Sequence, residues 1–381
     1  MTVRLIFDAR YIRTDFHDGI SRFSAELARA VAAAAPAAGV ELAFVIHDEA
    51  QRGLLPAGAR TLTIHAPTSV KEPFTALILN RYRPDAVFSP MQTIGSLGKR
   101  FRLILTLHDT IYYRHRTPPR DLGWAVRLGW RVFHWSYVPQ RLVLNRADVV
   151  ATVSETSARE FARVRLTRRP VVVLANAPQR LAELLPASSE ADRGDDRAAR
   201  ERVDAAPRNI VYMGSFMPYK NVETLVRAMR HLPEHTLHLL SRISPQRERE
   251  LEQVRDATGG AVVFHRGVSD EAYAALLDDR ALLATLSLDE GYGLPIAEAL
   301  AFGVPAVVSD SEIFREVAGE GALYVPATDP SAFASAVTQL EDPVTRARTI
   351  AAGLEHSRRF SWERTAQQLL RTARGEEFGA A

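Results

Sequence analysis

Between Asp289 and Asp310 the chain reads Asp-Glu-Gly-Tyr-Gly-Leu-Pro-Ile-Ala-Glu-Ala-Leu-Ala-Phe-Gly-Val-Pro-Ala-Val-Val-Ser-Asp. A carboxylate precedes a glycine-rich turn, a second carboxylate follows within a helical stretch, and a glycine stop leads into an apolar strand. The apolar run Leu282 to Leu286 comes just before it, so strand, loop, helix and strand follow in order, which is the repeating unit of a parallel α/β sheet. At the helix start the backbone N–H groups of Gly291, Gly293 and Leu294 face a position where unpaired donors and the helix dipole favour phosphate. Pro295 suits the first turn because its missing N–H costs nothing there. Glu290 and Glu298 offer acceptor-only oxygens that can take paired hydrogen bonds from vicinal hydroxyls. The junction is therefore suited to a polar, partly anionic ligand of the sugar-nucleotide kind.

The same alternation runs from the first residue to beyond 320. Strand patterns are expected at Arg4 to Asp8, Glu41 to His47, Ala86 to Ser89, Leu103 to His108, Val149 to Ser154 and Val171 to Ala175, with helices such as Ser21 to Ala34 and Ser157 to Val164 between them. After Ser188 to Arg208, which is charged, Ala-rich and without strand character, the pattern resumes. Strands follow at Ile210 to Met213, Leu237 to Ser241, Val262 to Phe264, Leu282 to Leu286 and Ala306 to Ser309, with a helix at Val222 to Met229. At 381 residues the chain is too long for one ordinary core. The expected fold is α/β, two Rossmann-like doubly wound domains facing across a cleft, residues 1–180 and 181–359, with ligands beyond the carboxyl ends of the strands.

Composition narrows the setting. The absence of cysteine removes disulfides and thiolate metal sites, and Met1 to Asp8 alternates like a strand with no long apolar core of a secretory signal. No apolar run approaches the roughly 20 residues of a membrane span. A cytoplasmic protein is expected, with peripheral contact to the inner face of the plasma membrane as an option. Of 48 basic residues only Lys71, Lys99 and Lys220 are lysine. Lys220 stands on a strand-to-helix loop, Gly214-Ser215-Phe216-Met217-Pro218-Tyr219-Lys220-Asn221, where a compact ammonium can meet a diphosphate. In a chain that otherwise writes Arg, lysine there points to a requirement for that compact charge. His108 closes the Leu103 to Leu107 strand and should face the ligand side. Gly19 leads a helix start, Gly19-Ile20-Ser21-Arg22-Phe23, that follows the polar loop from Asp8 through Tyr11 to His17 and Asp18.

The Glu290 to Val307 pattern resembles the Glu-x7-Glu signature of the family 4 retaining glycosyltransferases, with Tyr292 where the family has Phe. The resemblance extends over essentially the whole chain. It implies the GT-B fold and transfer of a hexose from a nucleoside diphosphate sugar, mannose from GDP-mannose among the options, to a glycan or lipid-linked acceptor hydroxyl. It also implies that Glu290 binds hydroxyls of the transferred sugar, Glu298 the nucleotide ribose, and Lys220 the diphosphate, with Gly291, Tyr292, Gly293 and Leu294 on the donor. By the same resemblance His108 reaches the donor sugar and Gly19 lies beside the donor phosphate and the acceptor. The loop at His265 borders the base. Where the family usually has Arg, this chain has Ser215, which leaves a second diphosphate cation unassigned; Arg22 is a candidate, but a helix-surface arginine is the favoured reading. Tyr11, Arg22 and Tyr112 are the candidates on the acceptor side. Phe360-Ser361-Trp362 matches the start of a helix that crosses back, so about 360–381 is expected on the first domain.

No metal site is expected. No Asp-x-Asp or His/Glu cluster has ligand spacing, so no obligate metal or other cofactor is implied and Lys220 with backbone donors should meet the diphosphate. The segment Lys99 to Arg146 holds ten basic residues, two acidic ones and three of the four tryptophans. It fits an anionic membrane surface or lipid-linked acceptor, or else core tryptophans with a solvated arginine face. Nucleic acid is not an expected partner, since the net charge is only +3. Two other readings of the fold remain at this point: an enzyme using a sugar phosphate, of phosphorylase or epimerase type, and a non-catalytic sugar-nucleotide binder.

Overall fold

The computed structural model describes residues 2–14, 19–118, 123–185 and 206–376. His17, Asp18, Arg120, Asp121 and the 188–205 part of the charged excursion lie outside the described residues. The chain divides into two compact units, Met1–Asn176 with Ser361–Ala381, and Ala177–Phe360.

The first unit is built on seven parallel strands: β1 (Val3–Asp8), β2 (Val40–Ile46), β3 (Thr61–Thr63), β4 (Ala86–Ser89), β5 (Arg102–Thr106), β6 (Val149–Thr152) and β7 (Val171–Val173), in the order β3-β2-β1-β4-β5-β6-β7. Every residue of β4 and β6 is buried, as expected for central parallel strands covered on both faces. Register places Phe7 beside Phe44 and Phe88, and the three rings pack at 4.9–5.6 Å between centroids. The helix Gly19–Ala34 buries Phe23, Leu27, Ala28 and Val31 on one face. Against it lies the returning helix Trp362–Arg374, which buries Trp362, Ala366, Leu369, Leu370 and Ala373. Ser361 caps that helix by accepting from the Arg364 N–H at 3.2 Å, and Thr365 Oγ1 donates to the Ala175 carbonyl at 2.7 Å. A cap contributes about 0.5–2 kcal/mol and each fully buried large apolar side chain about 1.5–3, so the apolar face decides where this helix docks.

The second unit has six parallel strands: β8 (Asn209–Tyr212), β9 (Thr236–Leu239), β10 (Ala261–Phe264), β11 (Ala281–Thr285), β12 (Ala306–Ser309) and β13 (Ala322–Val325), ordered β10-β9-β8-β11-β12-β13. Strand order reverses beside the first strand of each sheet, between β1 and β4 and between β8 and β11. At such switch points the loops leaving the carboxyl ends diverge and open a crevice for ligand.

The structure corrects several expected bounds. β5 ends at Thr106, which puts His108 on the following loop, and β6 ends at Thr152. β3 and β13 were not anticipated; β3 is only three residues with threonine at both ends, too short to show a period. Among the described residues no helix is long and apolar enough to cross a membrane.

Candidate active site

In the second unit the site grows from two loops at the β8–β11 switch point. After Tyr212 the chain runs through Gly214 and Ser215 to the turn Pro218–Lys220, and Asn221 then adopts the left-handed conformation at φ +53° ahead of the helix Val222–Ala228. The Asn221 amide holds the turn by donating to the carbonyls of Leu286 (3.1 Å) and Ala327 (2.6 Å). The Leu288 N–H donates to the Tyr219 carbonyl at 2.8 Å, so the loop after β11 is laced to the loop after β8. Lys220 Nζ and the Glu290 carboxylate are thereby brought into a direct ion pair, both side chains mostly buried. The ammonium also stands 5.4 Å from the Tyr219 ring centre.

Glu298 is the second carboxylate of the signature and is only 1% exposed, which rules out a solvated surface glutamate. It projects from the helix Leu294–Ala301, whose N-cap is Gly293 at φ +99° with no side-chain cap. A Cβ at Gly293 would sit 3.1 Å from the Phe314 ring and 3.2 Å from Ile296, so glycine is needed for both conformation and space. Tyr292 turns inward: it is buried with its ring 5.9 Å from Phe360, and burial raises its pKa, so a ligand contact at this position would come from its backbone. Ser215 is exposed, and its carbonyl accepts from the Tyr212 hydroxyl at 2.7 Å. Burial first, then the charge of Glu290, hold the Tyr212 pKa well above its ordinary value, keeping that hydroxyl a donor. In the loop after β10, His265 Nε2 lies 3.0 Å from His238 Nδ1, and burial lowers the pKa of both imidazoles.

The first unit gathers a separate set around its own switch point. Arg10, just past β1, pairs with Asp8 at 2.8 Å and with Glu72 at 2.8 Å, all three largely buried. Burial opposes the guanidinium charge, but the two carboxylates overcome it and raise the pKa. Gln51 closes the loop by donating to the carbonyls of Ala9, Arg10 and Ile12. Beside this network the Tyr11 hydroxyl bonds Thr93 Oγ1; burial and then the Asp8 charge raise its pKa. His108 Nε2 donates to the Pro90 carbonyl at 2.9 Å, on the same loop after β4 as Thr93. Phe23 meets the His108 ring edge-on at 5.1 Å. Arg22 is half-buried on the helix that Gly19 opens, and a Cβ at Gly19 would meet nothing within 4 Å. Tyr112 packs at 5.2 Å on Trp130 and 5.8 Å on His134.

Sequence reading missed Glu72 and the ring pair Phe23 and Trp362. Glu72 has no local signal, because its partner Arg10 is 62 positions away. Among the described residues no group of three His, Cys, Asp or Glu could hold a metal ion.

The family model of the glycosyl transferases group 1 matches residues 195–356. Among curated relatives, the chain is 37% identical over 127 residues to the phosphatidyl-myo-inositol mannosyltransferase of Mycobacterium leprae, covering 32% of this chain and 34% of that protein. It is 28% identical over 286 residues to O-antigen chain mannosyltransferase B of Escherichia coli, covering 71% of this chain and 69% of that protein. These matches thus span from a third to about two thirds of the relatives' own lengths. In fold, the sucrose-phosphate synthase of Thermosynechococcus elongatus superposes with a TM-score of 0.71 at 20% identity, covering 98% of both chains. With the signature's two glutamates folded onto the switch point of the second sheet, these likenesses support a family 4-like glycosyltransferase with the GT-B fold, the match to the group 1 model lying in the second unit.

Proposed function

We propose that the protein is a retaining hexosyltransferase that moves a sugar, mannose from GDP-mannose in the first instance, to a hydroxyl of a glycan or lipid-linked acceptor. The observation that carries this reading is the Lys220–Glu290 ion pair at the carboxyl ends of β8 and β11, with Glu298 buried on the helix that follows. A diphosphate placed there exchanges with Glu290 for the ammonium, and the carboxylate so released turns to the hydroxyls of the hexose. Glu298 accepts from the ribose hydroxyls. The names of the two mannosyltransferase relatives support mannose as the sugar.

In the transfer step the bond from the anomeric carbon to the diphosphate oxygen breaks and its electron pair leaves with the phosphate. The acceptor oxygen attacks from the same face and its proton passes to that phosphate oxygen. Lys220 and the amides of Gly291 to Leu294 stabilise the charge developing on the leaving group, and His108 meets the sugar. We infer that no metal is required, since a lysine and a helix N-terminus already face the diphosphate position.

Peripheral contact with the membrane belongs to the same reading. In the segment 99–146 Trp124 is 81% exposed and Trp135 75% exposed, interleaved with Arg127 and Arg131. None of the described side chains of the helix Trp124–Phe133 is buried. Exposed indoles among cations suit the headgroup layer of an anionic bilayer, where a lipid-linked acceptor is presented.

The test separates the two glutamates by calorimetry. Glu298→Ala should weaken binding of free nucleoside diphosphate and donor together, by the roughly 1.5–3 kcal/mol of a charge-assisted hydrogen bond. Glu290→Ala should leave the free nucleoside diphosphate bound and lose sugar-dependent affinity and turnover. Equal loss of nucleoside diphosphate affinity in both variants refutes the assignment. Release of free nucleoside diphosphate during turnover separates the transferase from a sugar-phosphate enzyme and from a non-catalytic binder.

A further inference from the structure

We propose that Asn221 is the positioning residue for Lys220, and that its side chain, by tying three loops together, sets how strongly the ammonium engages the donor diphosphate. The proposal rests on the reading that Lys220 meets that diphosphate. Lys220 closes the turn Pro218–Lys220 and carries its ammonium on a flexible four-carbon stem, so the place of the charge depends on where the main chain is held. Two hydrogen bonds hold it, one on each side. The Leu288 N–H donates to the Tyr219 carbonyl at 2.8 Å, and the Asn221 amide donates to the Leu286 carbonyl at 3.1 Å. Position falls on one loop as it rises on the other, so the bonds are two rungs of a short antiparallel ladder. Lys220 lies between the rungs, and its partner Glu290 follows just beyond Leu288 on the facing loop.

Every polar atom of the Asn221 side chain is used. Nδ2 donates a second time, to the Ala327 carbonyl at 2.6 Å on the loop after β13, and Oδ1 accepts from Thr224 Oγ1 at 2.8 Å. Carbonyls only accept, so the amide has one orientation that satisfies all three partners. The loops after β8, β11 and β13 therefore meet at a single amide, although β11 and β12 lie between β8 and β13 in the sheet. The backbone of Asn221 is left-handed at φ +53°, which turns the chain from the Lys220 turn into the helix Val222–Ala228. Glycine adopts that conformation without steric cost but has no side chain to tie anything. Asparagine keeps the bend and adds the three bonds, and it is the bonds that hold Lys220 against Glu290.

The experiment first measures binding of GDP, UDP and ADP to the wild type by calorimetry. The tightest of the three is then carried through Asn221→Gly, Asn221→Asp and Thr224→Val, each with Lys220 present and with Lys220→Ala, alongside melting temperatures and a crystal structure of Asn221→Gly. Asn221→Gly keeps the bend and loses the ties, and it should weaken binding by about tenfold, since small misplacements of a binding group are costly. Asn221→Asp should lose more, because a carboxylate cannot donate to the two carbonyls and repels them. Thr224→Val, which removes only the partner of Oδ1, should give a smaller loss of the same kind. In the Lys220→Ala background none of these changes should weaken binding by more than about twofold, because residues acting through one group are not additive. In the crystal structure of Asn221→Gly the Lys220 ammonium should leave Glu290.

Equal losses with and without Lys220, or a Lys220–Glu290 pair unchanged in Asn221→Gly, would overturn the proposal and leave Asn221 as a bend in the fold. If none of the three nucleotides binds the wild type, or Lys220→Ala binds as the wild type does, the diphosphate reading of Lys220 falls. In that event the crystal structure still decides whether Asn221 places the ammonium. Should Asn221→Asp fail to fold, Asn221→Gly carries the same comparison.

Discussion

Lys220 holds its charge against Glu290 in a largely buried pair, and that pairing sets what each residue can do. A buried cation without a counter-charge would be costly, so the carboxylate balances the ammonium and holds it in place; on the proposed reading a diphosphate then takes it over. Lys220→Ala should therefore weaken donor and free nucleoside diphosphate alike, by roughly 1.5–3 kcal/mol, and leave Glu290 as a buried carboxylate that repels the phosphate. Lys220→Arg should recover only part of the loss, because the planar guanidinium cannot replace a compact ammonium between Tyr219 and Glu290. Unchanged affinity in the alanine variant, by calorimetry, would remove Lys220 from the site. The residue types of this pair were legible in the sequence; their contact was not, since they lie 70 positions apart. Arg10 shows the same limit more strongly. Its place after the first strand was visible, yet its buried pairing with Glu72 depends on a turn that no local pattern links to it.

Among the elements, the helix Leu294–Ala301 and the helix Trp124–Phe133 are opposites. The first buries Ile296 through Leu300 and needs Gly293 at φ +99° to begin, so its position follows from a glycine, a proline and an apolar run that a short window contains. The second has the apolar residues of a core helix but leaves Trp124, Val126, Leu128 and Val132 exposed. Composition could not tell a buried tryptophan from an exposed one, because both need the same side chain and differ only in what packs against it. Trp124→Ala with Trp135→Ala should reduce binding to anionic liposomes while turnover of a water-soluble acceptor continues. Wild-type binding should fall with added salt and be weaker on neutral liposomes. Equal binding of wild type and variant at every lipid charge would refute the membrane contact.

For the whole molecule, the charge inventory leads to a prediction about metal. On the proposed reading Lys220 and a helix N-terminus of the second unit meet the diphosphate, so turnover should persist in EDTA; activity lost on chelation and restored by Mg²⁺ would refute the metal-free reading. The sequence by itself determined the α/β class, the parallel strands as apolar runs, a C-terminal helix with its Ser361 cap, and the Glu290 to Val307 signature. Each of these is written in a few neighbouring residues, through side-chain period, backbone preference or a cap. Only the tertiary structure decided the order of the strands, and with it the two switch points between β1 and β4 and between β8 and β11. It alone joined Lys220 to Glu290, Arg10 to Glu72, and Trp362 through Phe23 to His108. Those contacts join segments far apart in the chain, and their partners are chosen by which surfaces pack best once the sheets exist, a choice that no local window contains.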